Sequence, residues 1–294
     1  LRKNEQFGQE KGDFFMFRRI TFVFLCLCTA VFSLQPVWAG SSGLSAFDGL
    51  SGRLTIAGGT AHIPVMKQAA RQIMSHNPDI AITVAGGGSG VGVQKVGAGL
   101  VDIGNTGRAL IEKEREKFGL KSYTFAVDGV GLAVHPDNPV NNLSKDQVKG
   151  IFAGGIGSWK QVGGADRQIN LYTRDEASGT RSVFRKKALD KGPVAVEANV
   201  IQSNGAMKVA ISRDPDAIGY LSIGHMDDSV SGVAIDGVSP TRENAKDGSY
   251  PVVRKLYMNT KGEPGKLARA FIDYLQGPRG THIVSENGFI PAGQ

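Results

Sequence analysis

Apolar and polar positions alternate between two rhythms along most of the chain. Residues 53–57 (RLTIA) and 80–85 (IAITVA) are short, largely apolar runs that each end at a glycine, the pattern of buried strands. Between them, apolar residues at 65, 66, 69, 70 and 73 follow a helical spacing. This predicts a helix over 64–76 with Pro64 in its first turn. Further helices are predicted over 91–99, 111–118, 144–152 with Ser144 as N-cap, 180–189, 206–213, 266–276 and 279–287. Strands are predicted over 101–104, 125–135, 169–173, 218–222 and 252–259, with a crossing between sheets near 233–236. Strand–helix alternation of this kind predicts an α/β fold with largely parallel sheets.

The opening segment breaks that rhythm. Arg18 and Arg19 precede a largely apolar run over 20–34, and Val37-Trp38-Ala39 places small residues where a signal peptidase reads. Residues 16–39 read as a secretory signal peptide cleaved near Ala39. The run is shorter than the roughly 20 residues that span a bilayer. Residues 40–51 are small, polar and glycine-rich, and read as a flexible leader. Export to the periplasm follows, where nucleoside triphosphates are not supplied.

Composition adds three constraints. Of the 34 basic and 27 acidic residues, five and three precede residue 40, so the exported chain carries a mild net charge of +5. That charge suits a small anion and gives no nucleic-acid reading. Both cysteines, Cys26 and Cys28, lie in the signal segment, and the histidines at 62, 76, 135, 225 and 282 lack metal-ligand spacing, so no metal or cofactor is predicted. Glycine is abundant, 40 of 294 residues, about twice the usual share, and it is clustered.

The clusters carry the candidate chemistry. Gly58-Gly59-Thr60-Ala61, Gly86-Gly87-Gly88-Ser89-Gly90 and Arg174 to Arg181 (RDEASGTR) each follow a predicted strand and precede a predicted helix. A helix start offers unpaired N–H groups and the positive end of its dipole. Glycine lets a ligand approach the backbone, and Ser or Thr adds a hydroxyl donor. One such turn is an ordinary cap. Three of the same build point to helix ends converging on an oxyanion. GxxxxGK[ST] fails because Val93-Gln94 follow Gly92, GxGxxG lacks its last glycine, and neither Ser89 nor Ser178 sits in GxSxG.

These turns, with VDIGNTGR (101–108), IFAGGIGSWKQVGG (151–164), AIGYLSIG (217–224) and FIDYLQGPRGTHIVSENGFIP (271–291), give residues 52–292 a resemblance to the phosphate-binding proteins of bacterial phosphate ABC transporters. The resemblance implies a two-lobed periplasmic binding protein type II fold, with a first lobe of 52–130 and 237–294, a second of 131–236, and hinges near 129–131 and 233–237. It implies that Thr60, Ala61, Ser89, Arg174, Ser178, Gly179 and Thr180 bind inorganic phosphate, with Gly88, Thr106, Arg108 and Asp128 as further candidates. It also implies that Arg174 is the one charged donor, held by Glu176, and that a monomeric receptor delivers phosphate to membrane permease subunits. Well-known members carry an Asp where this chain has Gly107, and that carboxylate accepts the proton of hydrogen phosphate. Asp128 is either its substitute or a polar residue beside a hinge glycine. Two other readings stand beside the phosphate receptor: a receptor for another tetrahedral oxyanion such as sulfate, and a secreted phosphatase-like hydrolase using Ser89 or Ser178. The hydrolase lacks a recognisable base.

Overall fold

A computed structural model describes residues 43–293; the signal peptide read over 16–39 lies outside the described residues. The described residues build eleven strands and nine α-helices: β1 (Gly52–Gly58), α1 (Ile63–His76), β2 (Ile80–Gly87), α2 (Gly88–Gly97), β3 (Ile103–Thr106), α3 (Glu112–Phe118), β4 (Leu120–Val134), β5 (Asn142–Leu143), α4 (Lys145–Phe152), β6 (Asn170–Arg174), α5 (Gly179–Lys187), β7 (Asn199–Ile201), α6 (Asn204–Ile211), β8 (Ala217–Ser222), β9 (Ser231–Ile235), α7 (Arg242–Asp247), β10 (Val253–Lys261), α8 (Lys266–Gln276), α9 (Pro278–Glu286) and β11 (Ile290–Pro291). No helix among the described residues is long and apolar enough to cross a membrane.

The strand order is β2-β1-β3-β10-β4-β8-β6-β7. Pairing is parallel where helices connect the strands (β1 with β2 and β3, β6 with β7 and β8) and antiparallel along β10 and β4. The sheet is therefore mixed rather than largely parallel. The fifteen-residue β4 is common to both parts of it. Its Leu120–Gly129 portion pairs with β10, and Val130–Val134 pairs with β8 and β9.

Two large cores form on either side of the Gly129–Val130 step. The apolar stripe of α1 (Val65, Met66, Ala69, Ala70, Ile73) packs with Ile56, Ile82, Leu256, Phe271 and Leu275 in the first. Trp159, Phe152, Phe184, Tyr220 and Tyr250 fill the second, where the Phe184 and Tyr220 rings stack with centroids 4.1 Å apart. Ser144 caps α4 as its sequence predicts, accepting from Gln147 N while the Gln147 side chain accepts from Ser144 N.

Two sequence expectations change here. The sequence pattern predicts the return between sheets near 233–236, but β9 pairs with Leu132–Val134 and with β5. Val233, Ile235, Tyr250 and Val252 all pack in the second core. Burial of that apolar row holds the chain in the second half until Val252, whose carbonyl accepts from Val130 N. Residues 44–50 are not a loose leader either. Leu44–Phe47 form a 3-10 turn, Phe47 is buried edge-on to Tyr274, and the Asn77 side chain donates to the Phe47 and Leu50 carbonyls.

Candidate functional site

Each of the three glycine-rich turns delivers a helix start to one small pocket. After β1, Gly58 has φ of 124° and Gly59 N donates to Asn105 O at 2.8 Å, turning the chain so that Thr60 and Ala61 face inward. After β2, α2 begins at Gly88, three residues before the predicted start. Gly88 has φ of 89°, and a Cβ there would lie 2.8 Å from Ala177 O; a Cβ at Gly92 would lie 3.0 Å from Gly58 Cα. These glycines are thus required by close backbone approach, and the early start puts Ser89 in the first turn of α2. After β6, Ser178 caps α5 by accepting from Arg181 N.

The pocket is lined by Gly59, Thr60, Ala61, Gly88, Ser89, Gly107, Arg174, Ser178, Gly179, Thr180 and Arg254, with about 180 Å³ of atom-free space that includes its open mouth. That is too little for a nucleotide. Its two halves touch. Gly90 N donates to Ala177 O at 2.9 Å, and a Cβ on Gly179 would meet Ser89 Oγ. Asn204, buried at the start of α6, donates through Nδ2 to Thr60 Oγ1 at 3.0 Å and accepts from Ser222 N.

Arg174 is fully buried. Its Nε donates to Ile201 O at 2.8 Å and its Nη2 to Gln202 O at 2.9 Å, while Nη1 has no partner. Burial pulls its pKa below the ordinary arginine value, and the nearby Asp175 and Tyr220 oppose that shift. A buried guanidinium with an unsatisfied nitrogen is an energetic liability unless an anion completes it.

Seven predicted residues, Thr60, Ala61, Ser89, Arg174, Ser178, Gly179 and Thr180, line this pocket, as does Gly88. Thr106, Arg108 and Asp128 do not. Thr106 is buried behind Gly107 and accepts from Asn259 Nδ2. Arg108 makes a two-pronged ion pair with Glu114 at the start of α3. Asp128 is buried, and its oxygens are taken by Arg254 Nε (2.9 Å), Arg254 Nη2 (2.8 Å) and Ser222 Oγ (2.9 Å). It therefore offers no free oxygen to a ligand proton. Glu176 does not hold Arg174 either. It is exposed and pairs with Arg181, which donates to Arg174 O and Thr173 Oγ1.

Arg254 was missed. It lies in β10 on the face of Leu256 and Met258, all three buried, with the exposed Lys255 on the other face. An arginine in the inward row of an alternating strand was the available signal. Asn204 was hidden because it stands at a helix start whose ordinary reading is a cap. Among the described residues no His, Cys, Asp and Glu cluster has the makings of a metal site.

Comparison with known proteins agrees with this geometry. A family model described as a PBP superfamily domain matches residues 45–279. The phosphate-binding protein PstS of Bacillus subtilis is 42% identical over 279 residues, 91% of this chain and 93% of the relative. A Clostridium perfringens ABC transporter substrate-binding protein solved with bound phosphate superposes with a TM-score of 0.78 at 33% identity, covering 82% of this chain and 100% of that one. An ABC-type phosphate transport receptor from Vibrio cholerae gives 0.67 at 32% identity, covering 81% and 99%.

Proposed function

This chain belongs to the PBP superfamily and, within it, to the PstS phosphate-binding proteins, and from that premise we propose that it is an exported receptor for inorganic phosphate that delivers its ligand to the permease of an ABC transporter. The observation that carries this reading is the unpartnered Nη1 of the buried Arg174 in a pocket walled by helix starts. A tetrahedral oxyanion meets both needs, since it neutralises the guanidinium and accepts from several N–H and O–H donors at once. Thr60, Ala61, Gly88, Ser89, Ser178, Gly179 and Thr180 are the proposed uncharged donors.

The lobes of the receptor are proposed as 52–129 with 253–291, and 130–252, following the two cores. Closure would bend the two connections at Gly129–Val130 and Val252–Val253. Export with cleavage near Ala39 and action as a monomer complete the proposal. A hydrolase reading has little support. Among the described residues no histidine, lysine or carboxylate lines the pocket, and the Ser89 and Ser178 oxygens already accept from Gly107 N and Arg181 N.

The test is a thermal melt of residues 40–294 with phosphate, with calorimetry for the affinity. At 100 times its dissociation constant a single-site ligand adds roughly 2.7 kcal/mol of stability. A clear rise in melting temperature with phosphate is expected, with no release of nitrophenol from p-nitrophenyl phosphate. No stabilisation by phosphate would overturn the receptor reading, and turnover of the ester would reinstate the hydrolase.

A further inference from the structure

Two guanidinium groups reach this pocket, not one. Arg254 is buried, spends Nε and Nη2 on Asp128 Oδ2, and donates from Nη1 to Thr180 Oγ1 at 2.9 Å. An arginine has five N–H donors, so one hydrogen on Nη1 and one on Nη2 remain. Nη1 borders the pocket at Gly107, where an added Cβ would lie 2.7 Å from it. The absence of a side chain at 107 is what leaves room for the guanidinium.

The hydroxyls of the pocket are polarised in the same sense. Thr60 Oγ1 accepts from Asn204 Nδ2, Ser89 Oγ from Gly107 N, Ser178 Oγ from Arg181 N and Thr180 Oγ1 from Arg254 Nη1. Each oxygen is occupied by a donor, which leaves its own hydrogen to face a ligand; only Thr180 has an alternative acceptor, Asn204 Oδ1, at 3.5 Å. Among the described residues no carboxylate lines the wall. The pocket presents donors and positive charge, and its side-chain acceptors are hydroxyl oxygens that each already take a donor.

We propose that Arg254 is a second charged ligand-binding donor, aimed by Asp128 as its positioning residue, and that the pair makes the pocket select the dianionic form of its oxyanion over the protonated monoanion. The inference rests on the phosphate reading above and deepens it. A protonated oxygen facing a wall of donors forfeits a hydrogen bond, and two cations reward the second negative charge. Phosphate takes that second charge near neutral pH, at about pH 6 when esterified. The charged groups around Arg254 are Asp128, Arg174 and, along the outer groove it also borders, Arg108, Lys186, Lys187 and Lys255. Burial lowers the pKa of two neighbouring histidines, His62 to about 3 and His225 below its ordinary value, which disfavours their charged forms.

Removing Arg254 alone would leave Asp128 buried without its cation, so the decisive variant is the double replacement Arg254→Gln with Asp128→Asn, which trades the ion pair for an amide pair. Phosphate affinity is measured by calorimetry across neutral pH, with unliganded melts as the folding control. Wild type is expected to bind about tenfold more tightly at the alkaline end, following the dianion fraction. The double variant should fold but bind about ten- to hundredfold more weakly, with a shallower pH slope. Asp128→Asn alone, which keeps an acceptor for Arg254, should retain more affinity than Asp128→Ala. Wild-type affinity in a folded double variant, or phosphate binding by wild type that does not rise with pH, would overturn the inference while leaving the receptor reading intact. If wild type binds no phosphate, the receptor reading fails first.

Discussion

Gly179→Ala places one methyl group at the meeting point of the two halves. Its Cβ would stand 2.1 Å from Ser89 Oγ, 3.1 Å from Ser89 Cβ and 3.3 Å from the Gly107 carbonyl carbon. Ordinary contact begins at 3.4 Å, so the closed pocket must open locally by about 1.3 Å or Ser89 must rotate. Opening by that amount stretches the Gly90 N to Ala177 O bond from 2.9 Å and the Asn204 Nδ2 to Thr60 Oγ1 bond from 3.0 Å beyond hydrogen-bond range. Rotation instead breaks the bond from Gly107 N and still leaves the Ser89 Cβ contact tight. Two neutral hydrogen bonds correspond to about 1–3 kcal/mol, so phosphate affinity should fall about 5- to 150-fold. Calorimetry with phosphate reads this directly. Gly205→Ala is the control, because a Cβ there meets nothing within 4 Å in the first turn of α6. It should leave affinity unchanged. If Gly179→Ala binds as wild type does, the closed apposition of the two helix starts is not the binding conformation.

Arg174→Met should weaken phosphate binding by about 2–5 kcal/mol, the range for truncating one side of a buried charged contact; unchanged affinity by calorimetry would remove Arg174 from the site. His62 is buried against Phe125, its ring nitrogens unpaired, and burial holds its pKa at about 3, although backbone groups of Tyr257, Thr106 and Gly59 oppose the shift. Its neutral form therefore stabilises the fold fully above the unfolded value of about 6.5, and that contribution is lost as pH falls toward 3. Denaturant titrations at several pH values should show a gentler acid decline for His62→Leu; an identical decline would refute this. Phe47→Ala should lower stability by about 3–5 kcal/mol, whereas a loosely tethered leader would show no change in the melt.

Much of this molecule is legible from local pattern because local physics decides it. The α1 stripe, the Ser144 cap and the glycine turns follow from periodicity and backbone freedom, and the three turns led to most of the pocket wall. What escaped is set by which partner each charged group finds in the fold. Arg108 pairs with Glu114 and Glu176 with Arg181, so neither takes the role, at the anion or at Arg174, that the resemblance implies. Asp128 looked like an acceptor beside a glycine until Arg254, 126 residues later, took its oxygens. The return at Val252 was obscured because β9 has the alternation of a crossing strand, and only its pairing with β4 decides where it lies. Phe47 reads as part of a polar leader because nine of the twelve residues over 40–51 are small or polar and outweigh one aromatic ring in composition, though not in buried area.

The position of β10 also governs when the molecule can form. It lies between β3 and β4, pairing Tyr257 with Thr106 on one side and Val253 with Gly129 on the other. A nascent chain that has reached residue 250 holds both flanking strands but not the strand that joins them. At 5–20 residues per second, on the order of ten seconds separates the synthesis of Gly129 from that of Val253. The second core lies within one continuous stretch and can assemble during that interval, while the first sheet and the Arg254 side of the pocket must wait. Synthesis order therefore keeps the earliest-made half of the molecule unfinished until nearly the whole chain exists.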